Sequence, residues 1–107
     1  MDTDCLFCKI INKELDTKFL FEDDNLVVFR DINPQAPVHL LIVPKKHIRS
    51  INDLTEEDEQ IVGKMCNVAK QMAAKEGIAQ SGYKLLFNVE KGGGQVIFHL
   101  HMHLIGG

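Results

Sequence analysis

Apolar positions along this chain alternate between two periods, and the changes of period mark out the elements. "LFCKIINKEL" spaces its apolar side chains like a helix and predicts a short N-terminal one. "KFLFED" and "NLVVFRDI" are short β-branched and aromatic runs, and the turn-like "EDDN" between them predicts a hairpin. "NPQAP" interrupts the chain with two prolines. "VHLLIVPKKH" then reads as a third strand, mostly buried, ending at Pro44.

A long helix follows. Thr55 is its expected N-cap, Glu56, Glu57 and Asp58 suit the positive end of the helix dipole, and Gly77 is the stop. At 100° per residue, Ile61, Val62, Met65, Cys66, Val68, Ala69, Met72 and Ala73 fall within an arc of about 160°. Gln60, Lys64, Asn67, Lys70, Gln71 and Lys75 take the other side. So wide an arc predicts either a well-buried helix or one whose flank meets a second subunit. "YKLLFNV" and "QVIFHLHMHLI", joined through the glycines of "EKGGG", predict a second hairpin. Strands, one long helix, then strands is the order of an α+β fold: an antiparallel sheet of about five strands with a long helix and a short N-terminal one.

The last run holds three of the five histidines. Strand alternation puts Val96, Phe98, Leu100, Met102 and Leu104 on one face and Ile97, His99, His101, His103 and Ile105 on the other. The imidazoles form a row with about 6.6–6.8 Å between neighbours. A solvent-facing edge explains this poorly, since such faces use Lys, Glu or Thr. Two of the three could share a metal ion, but the full span of about 13 Å is too long for one. The third explanation is phosphoryl or nucleotidyl chemistry, in which a neutral imidazole attacks and its neighbours donate hydrogen bonds. "KGGGQ" just before the row favours it: glycines, Gly94 among them, let backbone N–H groups approach phosphate oxygens, and Gln95 adds a neutral donor.

Composition narrows the classes. The 107 residues make one domain, residues 1–107, without repeats or linkers. A formal net charge of −3 with no basic block argues against a nucleic-acid or membrane surface. No apolar run reaches the roughly 20 residues of a membrane span, and the acidic start "MDTDCLFCKII" does not read as a signal peptide. Three cysteines without an export signal read as thiols or metal ligands. The expected compartment is the cytoplasm, with the nucleus as the alternative.

"HLHMHLIGG" resembles the signature of the histidine-triad (HIT) family, and "FCKIINKEL", "FEDDNLVVFRDINPQAPVHLLIVPKKHI", "LLFNV" and "GGGQ" resemble that family's segments in order. The similarity covers the whole chain and points to the purine nucleoside phosphoramidase branch. It implies that His101 is the nucleophile, attacking the α-phosphorus of a purine nucleoside 5′-phosphoramidate or acyl-nucleotide. His103 and the loop N–H groups would stabilise the phosphorus oxygens, His99 would complete the triad, and His39 would be the family's fourth histidine. Asp31 would bind the ribose hydroxyls; read alone it is a turn aspartate. Phe29, Ile32, Phe19 and Leu15 would form the base slot, although plain core explains Phe19 and Leu15 equally well. Asn88 would reach the phosphate end. The same similarity implies a homodimer and no cofactor for catalysis.

Two features depart from the family pattern. Val96 stands where the branch usually has serine, and the sequence stops at Gly107 where relatives carry a short tail. Some relatives hold a structural zinc, which here implies Cys5, Cys8, His47 and His99 as a Cys₂His₂ set. The alternative is two partly buried thiols and a surface His47. Cys66, on the apolar arc, is expected in the core.

Overall fold

The computed structural model describes residues 5–107; the acidic stretch Met1 to Asp4 lies outside the described residues. The order is α1 (Leu6–Ile11), β1 (Phe21–Glu22), β2 (Leu26–Arg30), β3 (Val38–Pro44), α2 (Glu59–Lys75), β4 (Tyr83–Leu86) and β5 (Met102–Gly106), with short 3₁₀ turns at Ile51–Asp53, Glu56–Asp58 and Lys91–Gly93. One antiparallel sheet runs β1-β2-β3-β5-β4. This is the α+β architecture that the pattern predicts. No helix among the described residues is long and apolar enough to cross a membrane.

The sheet is covered on both faces, which explains why all seven residues of β3 are buried. Alternation sorts them. Leu26, Val28, Leu40, Ile42, Met102 and Leu104 meet Met65, Val68, Ala69 and Met72 of α2. Val27, Phe29, Leu41 and Val43 meet Cys5, Phe7, Cys8 and Ile10 of the N-terminal segment. Burial of so many apolar side chains, at roughly 1.5–3 kcal/mol each, outweighs any single polar contact in holding the two layers together.

The first hairpin closes on Asp23, whose Oδ1 accepts from the backbone N–H groups of Asn25 and Leu26, both at 2.8 Å. The helix begins one turn later than the N-cap signal suggests. Residues 56–58 form a 3₁₀ turn because Asp58 Oδ2 folds back to accept from the Thr55 N–H at 3.0 Å, while Lys46 donates to Oδ1 at 2.7 Å. Gly77 ends the helix with φ 77.

Two expectations need correction. Cys66 is exposed rather than in the core, because it sits at one margin of the apolar arc, and the buried side runs from the other margin at Val68 only as far as Ala73. The terminal strand is also shorter than its alternation suggests. Residues 95–101 are irregular, with Val96 81% and Phe98 37% exposed, so neither seals the core. This segment bonds to the 48–49 loop in place of a sheet neighbour: the Leu100 backbone N–H donates to Ile48 O at 2.6 Å, and the Gln95 side chain donates through Nε2 to Arg49 O at 2.9 Å.

Candidate active site

The end of β2, the middle of β3 and the start of β5 lie side by side, and the glycine loop crosses their ends. They enclose a cleft of about 470 Å³. Phe7, Ile10, Phe29 and Ile32 form an apolar end. Asp31, Asn88, Gly94, Val96, His101 and His103 form a polar end. Leu15 and Phe19 instead line a separate hollow, and Phe19 reaches the cleft only through its ring contact with Phe29, centroids 6.4 Å apart. Their expected place in the base slot is taken by Phe7 and Ile10. Phe7 touches Phe29, His99 and His101 edge-on, with centroids 5.5, 6.0 and 5.0 Å away. The sequence signal for this pair is the i, i+3 spacing of two apolar residues in a short helix.

Backbone partners fix the tautomers of the histidines. His101 Nδ1 donates to His99 O at 2.7 Å, which leaves Nε2 as a lone pair. His99 Nε2 donates to Pro44 O at 2.8 Å, which leaves Nδ1 as its lone pair. The Gln35 N–H donates to His39 Nδ1 at 3.1 Å, so a neutral His39 carries its proton on Nε2. That Nε2 lies 2.9 Å from His103 Nδ1 and donates to it. His103 therefore keeps its own proton on Nε2. One imidazole of the polar end is an acceptor and its neighbour a donor.

Burial favours the neutral rings. It pulls His101 below the ordinary histidine range, although the His99 carbonyl and Asp31 oppose it. It lowers His103 to about 4, reinforced by His101 and His39 and opposed by Asp31. Burial likewise lowers His99 to about 4, against the hydrogen bond it donates to Pro44 O. His101 and His103 ring centroids lie 5.0 Å apart, and two cations so close would repel.

Asp31 serves two purposes. Its Oδ1 accepts from the Asn33 N–H at 2.8 Å, the turn contact, and its Oδ2 lies 3.4 Å from His39 Nε2 beside the cleft. Asn88 Nδ2 donates to Gly93 O at 2.9 Å and braces the glycine loop. Gln95 differs from its expected place as a donor to the cleft. It is buried; its Nε2 donates to Arg49 O and Ile97 O, and its Oε1 accepts from the Glu90 N–H at 2.8 Å. Both amide hydrogens are committed, so Gln95 shapes the loop from behind.

Among the described residues, two sets of side chains converge closely enough to hold an ion. Cys5, Cys8, His47 and His99 point four donor atoms at one another. Cys5 Sγ and Cys8 Sγ lie 3.3 and 3.6 Å from His99 Nδ1, Cys8 Sγ lies 3.3 Å from His47 Nδ1, and the two Nδ1 atoms are 3.1 Å apart. A tetrahedral zinc requires edges of about 3.3 Å between nitrogens and about 3.6 Å between nitrogen and sulfur. The fit is good, and Pro44 O already fixes the His99 tautomer that would bind metal through Nδ1. The second set, Asp31, His39 and His103, fits less well. The Gln35 N–H keeps the shared His39 Nε2 protonated, so that nitrogen is not a neutral ligand.

Residues 4–107 match the family described as scavenger mRNA decapping enzyme C-term binding. The chain is 46% identical over 107 residues to the purine nucleoside phosphoramidase of Escherichia coli K12, covering 100% of this chain and 90% of that one. The chain belongs to the histidine-triad family. HIT family hydrolases of known structure superpose closely on it. That from Legionella pneumophila gives a TM-score of 0.95 at 51% identity, covering 97% of this chain and 93% of the other. That from Clostridium thermocellum gives 0.97 at 43% identity, covering 100% and 93%. The chain is thus a HIT family hydrolase on the expected five-stranded fold.

Proposed function

We propose that this HIT hydrolase cleaves purine nucleoside 5′-phosphoramidates or acyl-nucleotides at the α-phosphorus through a covalent nucleotidyl-His101. The observation that carries the reading is the hydrogen bond from His101 Nδ1 to His99 O, which aims an unprotonated Nε2 into the cleft. In the first step the Nε2–phosphorus bond forms, the bond to the leaving group breaks, and the leaving amine takes a proton from solvent. In the second, water attacks phosphorus, the Nε2–phosphorus bond breaks, and a nucleoside monophosphate is released. His103 Nε2–H stabilises the charge on the phosphorus oxygens, while the Gly93, Gly94 and Gln95 N–H groups are spent inside the loop on the Glu90 and Lys91 carbonyls. The base lies between Phe7, Phe29 and Ile32, with Asp31 accepting from the ribose hydroxyls.

Val96 supports a second reading. It borders the cleft at the position where the branch usually has serine, and has no proton to give. A phosphate leaving group needs none, which favours dinucleoside polyphosphates over amines. Side-by-side turnover of an adenosine phosphoramidate and diadenosine polyphosphates separates the two. Binding of nucleotide without turnover of either would leave a sensing or scaffolding module.

The reading includes two further parts. A structural zinc on Cys5, Cys8, His47 and His99 ties the N-terminal segment to the sheet and takes no part in the chemistry. A homodimer covers the exposed flank of α2 at Cys66 and the edge strand β4, where Leu85 is 37% exposed. Reduced thiols suit the cytoplasm.

A further inference from the structure

We propose that Glu90 is a positioning residue, held in a glycine-type backbone conformation by Arg49 and Ser50 so that it fixes the glycine loop at the polar end of the cleft. What the loop serves rests on the hydrolase reading above. Glu90 has φ 60 and ψ 176, a region that residues with a Cβ avoid. It stands at the hinge where the chain enters Gly92, Gly93 and Gly94, a run with more backbone freedom to lose than any other. Its side chain and backbone are tied at once. Glu90 Oε2 accepts from Arg49 Nη1 at 2.6 Å and from Ser50 Oγ at 2.8 Å. Its carbonyl accepts from the N–H groups of Gly93 and Gln95, both at 3.0 Å, and its own N–H donates to Gln95 Oε1. Gln95 returns the link by donating to Arg49 O. Arg49 is itself held over the Phe98 ring, 4.6 Å from its centroid.

The loop and the 49–50 segment are thus cross-linked in both directions, and the strained residue sits where they meet. If the ion pair released Glu90, its backbone would relax to negative φ. The relaxed chain would then carry Gly94 and Asn88 away from the cleft they line.

The latch makes a prediction of unusual sign. At an ordinary position alanine is better tolerated than glycine; here glycine accepts the conformation and alanine does not. Amide exchange of Gly93 and Gln95 should quicken about tenfold in Glu90→Ala and in Arg49→Ala, but stay within about threefold of wild type in Glu90→Gly. The double variant Arg49→Ala/Glu90→Gly should exchange more slowly than Arg49→Ala alone. Turnover of an adenosine phosphoramidate should follow the same order, with kcat falling more than nucleoside monophosphate affinity. Glu90→Ala protecting the loop as well as Glu90→Gly, or a double variant worse than Arg49→Ala, overturns the latch. Should Glu90→Ala fail to fold, Arg49→Ala with and without Glu90→Gly decides the matter. Exchange in the expected order with unchanged kcat overturns the positioning role and leaves the hydrolase reading standing. Exchange needs no substrate, so a wild type that turns nothing over condemns the hydrolase reading alone.

Discussion

His99 and His101 are joined by one hydrogen bond, from the ring of the second to the backbone oxygen of the first, at 2.7 Å. Through its own ring His99 faces Cys5 and Cys8, so a single residue links the thiol cluster to the imidazole aimed into the cleft. The orientation of His101 therefore depends on whatever holds the His99 backbone in place.

Removing the His101 imidazole tests the chemistry most directly. His101→Ala should lower kcat by about 10³-fold or more, since a nucleophile has no substitute within reach, while nucleotide binding stays measurable. Rapid quenching of wild type with substrate should trap a nucleotidyl adduct on His101. An adduct on another residue would sink the mechanism.

The depressed His103 predicts a direction for stability against pH. Its value falls from 6.5 in the unfolded chain to about 4 in the folded one, so the unfolded chain binds more protons between those values. Its contribution is fully present above pH 6.5 and is lost as pH falls toward 4. Denaturant midpoints should be flat above that range and decline below it, and His103→Gln should flatten the decline. A slope unchanged by the substitution would remove His103 as its source.

A zinc site predicts about one zinc per chain in protein purified without chelators. Cys5→Ser should lose the metal and several degrees of melting temperature together, because an ion bound only by the folded state stabilises it. Much of the turnover should survive. His99→Ala should do more harm, since it also disturbs the carbonyl that orients His101. Zinc well below one per chain, with Cys5→Ser melting like wild type, returns the cluster to a pair of thiols.

The exposed α2 flank predicts association. Light scattering should give about twice the 12.1 kDa chain mass at micromolar concentration. Cys66→Glu, which puts a charge on the flank without touching the sheet contacts, should shift the protein toward monomer. A wild type that runs as a 12.1 kDa species contradicts the dimer.

Local periodicity and turn chemistry were enough to determine much of this protein. The period of two in "VHLLIVP", the helical spacing from Met65 to Ala73 and the aspartate turn at Asp23 each depend on neighbours in the chain, so sequence alone carries them. The triad was legible for the same reason, together with its family resemblance. The sequence could not decide which residues of an apolar run would find a partner across space. Val96 and Phe98 keep the alternation of a strand, yet the segment that carries them is tied to the 48–49 loop by the Leu100 N–H and the Gln95 side chain. Cys66 falls on the apolar arc but at its margin, where the sheet no longer reaches. Phe7 is both part of the core against β2 and a wall of the cleft, while Gln95 reads as a donor to substrate and has both amide hydrogens taken by Arg49 and Ile97. The tautomers of His39, His101 and His103 are the clearest case. Each is set by a polar partner, the Gln35 amide, the His99 carbonyl or the His39 ring, whose position depends on the folded backbone. Hydrogen bonds are directional and short-ranged, so only the tertiary structure can assign them.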